Sequence, residues 1–127
     1  MLGPPKPRRL HDPIAVSLEE LVPPDNFYRH LEAKLDLGFV RDWTRELYAE
    51  AGRPSIDSVV FFKLQLVMIF EGNRSERQLI ETASLNLAQR WYLGYARNEE
   101  LPGHFTVSRN ANALGRRVAE TFTLRAR

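Results

Sequence analysis

Residues 52–109 read GRPSIDSVVFFKLQLVMIFEGNRSERQLIETASLNLAQRWYLGYARNEELPGHFTVSR. Within them, positions 59–70 hold ten apolar residues in twelve, interrupted by Lys63 and Gln65. A membrane-spanning helix needs about 20 apolar residues, so this run reads as a buried helix at the centre of a fold, spanning Ile56 to Glu71. Gly72-Asn73 ends it. Ser75 to Gln78 has the form of a capping box and opens a helix through Ser84, with Leu79, Ile80 and Ala83 inward. A shorter helix follows from Asn86 to Leu93, closed by Gly94. After the turn-rich stretch Tyr95–His104, a last helix from Thr106 sets Val107, Leu114, Val118 and Phe122 on one side. Arg109, Arg116 and Arg117 fall mostly on the others.

Upstream, prolines at 4, 5, 7 and 13 make the N-terminus an extended arm. Ser17-Leu18-Glu19-Glu20 is a second capping box, but Pro23 and Pro24 stop any helix there within about one turn. A helix starting near Pro24 and Asp25 places Phe27, Leu31 and Leu35 on one face. Another, Phe39 to Ala51, carries the stripe Val40, Trp43, Leu47 and Tyr48, with Gly52 as C-cap and Pro54 beyond it. No segment alternates with the period of a strand. The expectation is all-α: a disordered Pro-rich arm over 1–16, then one bundle of five or six helices over 17–127 whose C-terminal half is helix-turn-helix-like.

A chain of 127 residues is one domain in size. It has no cysteine, so neither a disulfide framework nor a thiolate metal site is available. The lack of cysteine fits a cytoplasmic protein, and the basic N-terminus lacks an apolar run behind it and is no secretory signal. The net charge of +2 is unevenly distributed. Residues 1–23 balance, 24–71 carry six basic against eight acidic groups, and 72–127 carry nine Arg against five Glu. Arginine's flat fork suits phosphate and guanine edges, so the C-terminal half favours a polyanion.

Catalytic signals are weak. The five Asp are at 12, 25, 36, 42 and 57 and read as solvated positions. His11, His30 and His104 fall on an arm, a helix and a turn, with no pair at ligand spacing. The serines lack His–Asp partners, and no Gly-rich phosphate loop exists. No enzyme activity, metal, cofactor, small-molecule substrate or membrane partner is expected.

Nucleic-acid recognition remains. In a helix-turn-helix the second helix enters the major groove, which would offer Asn86, Gln89 and Arg90. Trp91, Tyr92 and Leu93 make that helix strongly apolar, however, and favour the last helix instead, where Thr106, Ser108, Arg109, Asn110 and Asn112 crowd the first two turns. Arg74, Arg77 and Gln78 would support it at the phosphates. The competing reading is structural. Arg74 and Arg77 could pair with Glu71, Glu76 or Glu81; Arg90 could stack on an aromatic or pair with Glu99 or Glu100; and Trp43, Phe62 and Trp91 could be core.

Leu18-Glu19-Glu20-Leu21-Val22-Pro23-Pro24-Asp25 with Phe27, Gly52-Arg53-Pro54-Ser55-Ile56-Asp57, Arg74-Ser75-Glu76-Arg77-Gln78-Leu79 and Asn86-Leu87-Ala88 through Arg90-Trp91-Tyr92-Leu93-Gly94 occur in that order. The series resembles the N-terminal domain of bacterial insertion-sequence transposases of the DDE type. The resemblance implies a domain that binds double-stranded DNA at element ends and stops before the catalytic core. It also leaves open a dimerisation or regulatory module acting on itself or on intact transposase, or the inert remnant of a decayed element. Relatives usually run Pro-Asp-His-Ser-Thr-Phe-Ser where this chain has Pro102-Gly103-His104-Phe105-Thr106-Val107-Ser108. Gly103 removes a capping carboxylate and Phe105 places an aromatic in the turn.

Overall fold

The computed structural model describes residues 2–48 and 56–126, with side chains over 2–45 and 56–115. Seven helices follow one another among these residues: α1 (Leu18–Leu21), α2 (Phe27–Lys34), α3 (Phe39–Tyr48), α4 (Ser58–Glu71), α5 (Glu76–Ser84), α6 (Leu87–Leu93) and α7 (His104–Ala126). The fold is all-α, and no described residue lies in a strand. Residues 2–17 form no helix, and everything from Leu2 to Ala15 is exposed. No helix among the described residues is long and apolar enough to cross a membrane.

Local chemistry explains most boundaries. Ser17, Asn26, Asp57, Ser75 and Asn86 each accept a backbone N–H in the first turn of the helix they precede, satisfying donors that the helix itself cannot. Gly72 and Gly94 close α4 and α6 in the left-handed region, at φ 67° and 89°. A side chain there would be strained, so glycine is required. Asn26, rather than Pro24 or Asp25, begins α2. The proposed cap Gly52 and breaker Pro54 lie outside the described residues, as do the side chains of Leu47, Tyr48, Arg116, Arg117, Val118 and Phe122.

The core departs from expectation in two places. α2 turns Tyr28 inward instead of Phe27, which is 50% exposed; Leu35 is also exposed, while Leu31 packs on the core. Tyr28 wins the inward position because its hydroxyl donates to Glu71 Oε1 at 2.6 Å and its ring lies 5.4 Å from that of Tyr92. The second departure concerns the centre. α4 buries Phe61, Leu64 and Val67, yet Ile69 and Phe70 on its last turn remain 72% and 52% exposed. The short α6 is the hub instead, packed against α1, α2, α4 and α5 with Tyr92 and Leu93 buried.

Two amphipathic cations bind the outer helices to α6. Arg29 of α2 stacks 4.3 Å above the Trp91 ring, ion-pairs with Glu19, and donates to the carbonyls of Glu19 and Val22 at 2.6 and 2.8 Å. Trp91 Nε1 donates to the same Glu19 carboxylate at 2.7 Å. Hydrogen bonds from Arg29 first, then from Trp91, hold that carboxyl below its ordinary pKa. Lys63 of α4 donates to Glu32 at 2.6 Å and to the Tyr92 carbonyl at 3.1 Å, and sits 4.7 Å over the Tyr92 ring. Of the expected α3 stripe, Val40 is fully buried, while Trp43 is 40% exposed and meets Phe62 edge-on at 5.9 Å; Thr44, outside that stripe, is buried too.

Burial raises the phenols of Tyr28, Tyr92 and Tyr95, and nearby carboxylates add to it: Glu71, Glu32, and Glu99 with Asp57 respectively. Tyr92 reaches about 12. A group whose pKa is raised by folding contributes stability that is complete below its unfolded value, about 10 for Tyr, and is lost as pH climbs through the folded value. Spectrophotometric titration should therefore show these tyrosines ionising late, together with loss of helix. Full ionisation near pH 10 with the helices intact would contradict this packing.

Candidate nucleic-acid interface

The candidate residues divide into those that hold the fold and those that face solvent. Ser75 Oγ accepts the Gln78 N–H at 3.1 Å, and Gln78 Oε1 accepts the Arg74 N–H at 2.7 Å. The box therefore reaches back one residue beyond the usual N-cap partner. Gln78 is exposed but its amide oxygen is engaged in this cap. Arg74 is exposed and makes no ion pair among the described residues. Arg77 meets Glu81 at 3.1 Å one turn on, with side chains 72% and 66% exposed. Such a pair contributes about 0.3–0.5 kcal/mol, too little to withhold the guanidinium from a phosphate.

The polar residues expected to form a face on α6 divide, with Asn86 exposed and Gln89 and Arg90 turned inward. Gln89 and Arg90 are 3% and 9% exposed. Arg90 Nε donates to the Ser84 carbonyl at 2.7 Å, and Nη1 donates to those of Ala96 and Glu99 at 2.6 and 2.7 Å. Ser84 is the last residue of α5, whose terminal carbonyls have no partner within the helix. The guanidinium therefore caps α5 and fastens the segment that leads into α7. It reaches Glu99 through the main chain, not through the expected carboxylate, which instead accepts the Ala96 N–H at 3.1 Å. Gln89 and Arg90 thus point into the body, where the Arg90 fork is engaged by main-chain carbonyls.

α7 begins at His104, two residues ahead of expectation, with the Val107 N–H donating to the Gly103 carbonyl at 3.2 Å. The loss of an aspartate at 103 does not prevent the helix. Leu101 and Val107, 6% and 0% exposed, anchor its start, and α7 packs against α5. Asn110 is 9% exposed and its Nδ2 donates to the Thr106 carbonyl at 2.7 Å, so it also leaves the candidate set. Thr106 and Ser108 are half-buried; Arg109 and Asn112 are exposed. Arg109 pairs with no carboxylate among the described residues. Positions 105, 109 and 112 follow the spacing of one helical stripe, and Phe105 is 74% exposed.

One solvent-facing cation escaped the sequence reading. Arg97, in the connection between α6 and α7, is exposed and unpaired among the described residues. Its signal was an arginine in a short polar turn next to a helix start, masked by Glu99 and Glu100 two and three places on. Among the described residues, no three His, Asp or Glu side chains gather in a way that could hold a metal ion. The His104 ring packs 4.3 Å from that of Phe105.

A family model described as "Transposase domain (DUF772)" matches residues 16–113. The span runs from the residue before the α1 cap to the third turn of α7. No curated protein and no solved structure matches the chain.

Replacing Arg90 with Met keeps the apolar stem and strands three carbonyls. The expected loss is roughly 2–4 kcal/mol, read as a lower urea midpoint at unchanged slope. Lys should not rescue it, since one ammonium cannot reproduce the fork that spans Ser84, Ala96 and Glu99. A variant within about 0.5 kcal/mol of native, the usual range of a surface substitution, would show that the guanidinium does not organise this region.

Proposed function

The chain belongs to the DUF772 family of transposase domains, and we propose that it is a DNA-binding domain that recognises the ends of a mobile element. The observation that carries the reading is the start of α7. It leaves Arg109 and Asn112 exposed on a helix seated against α5, with Arg109 free of any described carboxylate. Arg and Asn are the side chains that pair bidentately with guanine and adenine in the major groove. Arg74 and Arg77 at the head of α5 supply phosphate contacts, which set register without reading sequence. On this reading the domain positions DNA and takes no chemical part in cutting it.

A second reading rests on a separate surface. Phe27 and Phe70 are both half exposed, meet edge-on at 5.0 Å, and adjoin Ile69. That patch suits a dimerisation or regulatory contact with another copy or with intact transposase. Ionic strength separates the two readings. Each phosphate contact releases counterions and steepens the fall of affinity with salt, whereas an apolar contact is little affected.

The test is fluorescence anisotropy of labelled duplex from the flanks of the chain's own locus, against a scrambled duplex, over a salt series. Native flanks should bind more tightly and with strong salt dependence. Arg109→Ala should cost about 1–3 kcal/mol and relax the preference at one position. Arg74→Ala and Arg77→Ala should each weaken all duplexes alike and reduce the salt slope by about 0.9. Equal, salt-insensitive binding to both duplexes would transfer the proposal to the aromatic patch.

A further inference from the structure

We infer that residues 2–13 are a second DNA-contacting element, one that enters the minor groove of A·T-rich duplex beside the stretch met by α7. This rests on the DNA-binding reading of α7. Lys6, Arg8 and Arg9 lie within four residues, all exposed, and none pairs with a carboxylate among the described residues. The Lys6 ammonium has only the neighbouring Pro7 carbonyl, at 3.4 Å. Among the described residues nothing in the body covers this charge, and prolines 4, 5, 7 and 13 favour an extended chain that makes no backbone bonds to itself.

The location of the arm's root gives it a direction. Val16, Ser17 and Leu18 line one shallow groove together with Ala96, Arg97 and Asn98. The arm therefore leaves the body against the segment that feeds α7, next to the unpaired Arg97. An extended chain rises about 3.1 Å per residue, so the arm can reach on the order of 35 Å, about one turn of B-DNA. A·T-rich tracts narrow the minor groove and deepen its negative potential, which draws inserted Arg and Lys. A thin, proline-stiffened strand bearing three adjacent cations has the shape and charge for that groove. α7 and the arm would then hold neighbouring grooves of one duplex.

The test begins with a duplex selected by the full chain from a random pool. Beside the selected site it carries a short flank of A·T, inosine·cytosine or G·C pairs. Inosine·cytosine keeps the minor-groove face of A·T while changing the major-groove face. Native protein should bind the A·T and inosine·cytosine flanks equally, within about twofold, and the G·C flank at least several-fold more weakly. The variant Lys6→Ala, Arg8→Ala, Arg9→Ala should lose that distinction and reduce the salt slope by about 2–3, while selecting the same central site. A variant that binds like native, or an inosine·cytosine flank as weak as G·C, would overturn the arm's role and leave α7's intact. Failure of the native chain to bind any duplex would overturn both.

Discussion

The buried guanidinium of Arg90 is the constraint on which the C-terminal half depends. A cation removed from water costs several kcal/mol unless its donors are met. Here Nε and Nη1 make three bonds to main-chain carbonyls, at the end of α5 and at two points of the segment after α6. Main-chain acceptors suit this role better than a carboxylate would, because they also need a partner once buried. One side chain thus relieves the end of α5 and fixes the path from Ala96 to Glu99. Leu101 and Val107 can then enter the core, and α7 starts where it does.

The same logic organises the front of the molecule around α6. Tyr92 and Leu93 go inward, Trp91 remains half-buried, and cations of α2 and α4 reach over the rings of α6. Arg29 and Lys63 set their charged groups over the aromatic rings of Trp91 and Tyr92, with side chains only 17% and 14% exposed. Isolated surface ion pairs would add little. These two are shielded, share acceptors with backbone carbonyls, and stack on rings, so they hold α1, α2 and α4 in one arrangement about α6. A seven-residue helix can be a hub because four neighbours hold it. Its own hydrogen bonds would not sustain it alone.

Helix identity was legible because its signals are local. Ser75, Asn86, Gly72 and Gly94 act through their own backbone, and each lies where its chemistry placed it. What a local pattern cannot weigh is competition between distant residues for one interior position. Phe27 and Tyr28 are adjacent and both apolar enough to be buried. It is Glu71, 43 residues away, and the ring of Tyr92 that favour the tyrosine. Likewise Gln89 and Arg90 resemble a groove-reading face by composition, yet both are buried, and the carbonyls of Ser84, Ala96 and Glu99 reveal the structural role of Arg90. The apolar run at 59–70 overstated its own burial for a related reason. Hydrophobicity reports a helix's demand for partners, while the neighbouring helices decide which side is supplied.

The withdrawal of α6 sharpens the case for α7. A recognition element has to be rigidly placed while offering polar side chains that the fold does not use. α6 meets the first condition and fails the second. The α7 start meets both, with Val107 and Asn110 facing the body and Arg109 and Asn112 outside it. Most cations from α1 to α4 are engaged by carboxylates: Arg29 with Glu19, Arg41 with Asp57, Arg45 with Asp42 and Lys63 with Glu32. The unpaired arginines of the described body, Arg74, Arg97 and Arg109, occur just before α5, just before α7 and on α7 itself. Net charge alone, at +2, would have argued for little. It is the internal pairing of one half that leaves the other half with uncompensated charge, and an uncompensated, rigidly seated arginine is what a polyanion can use.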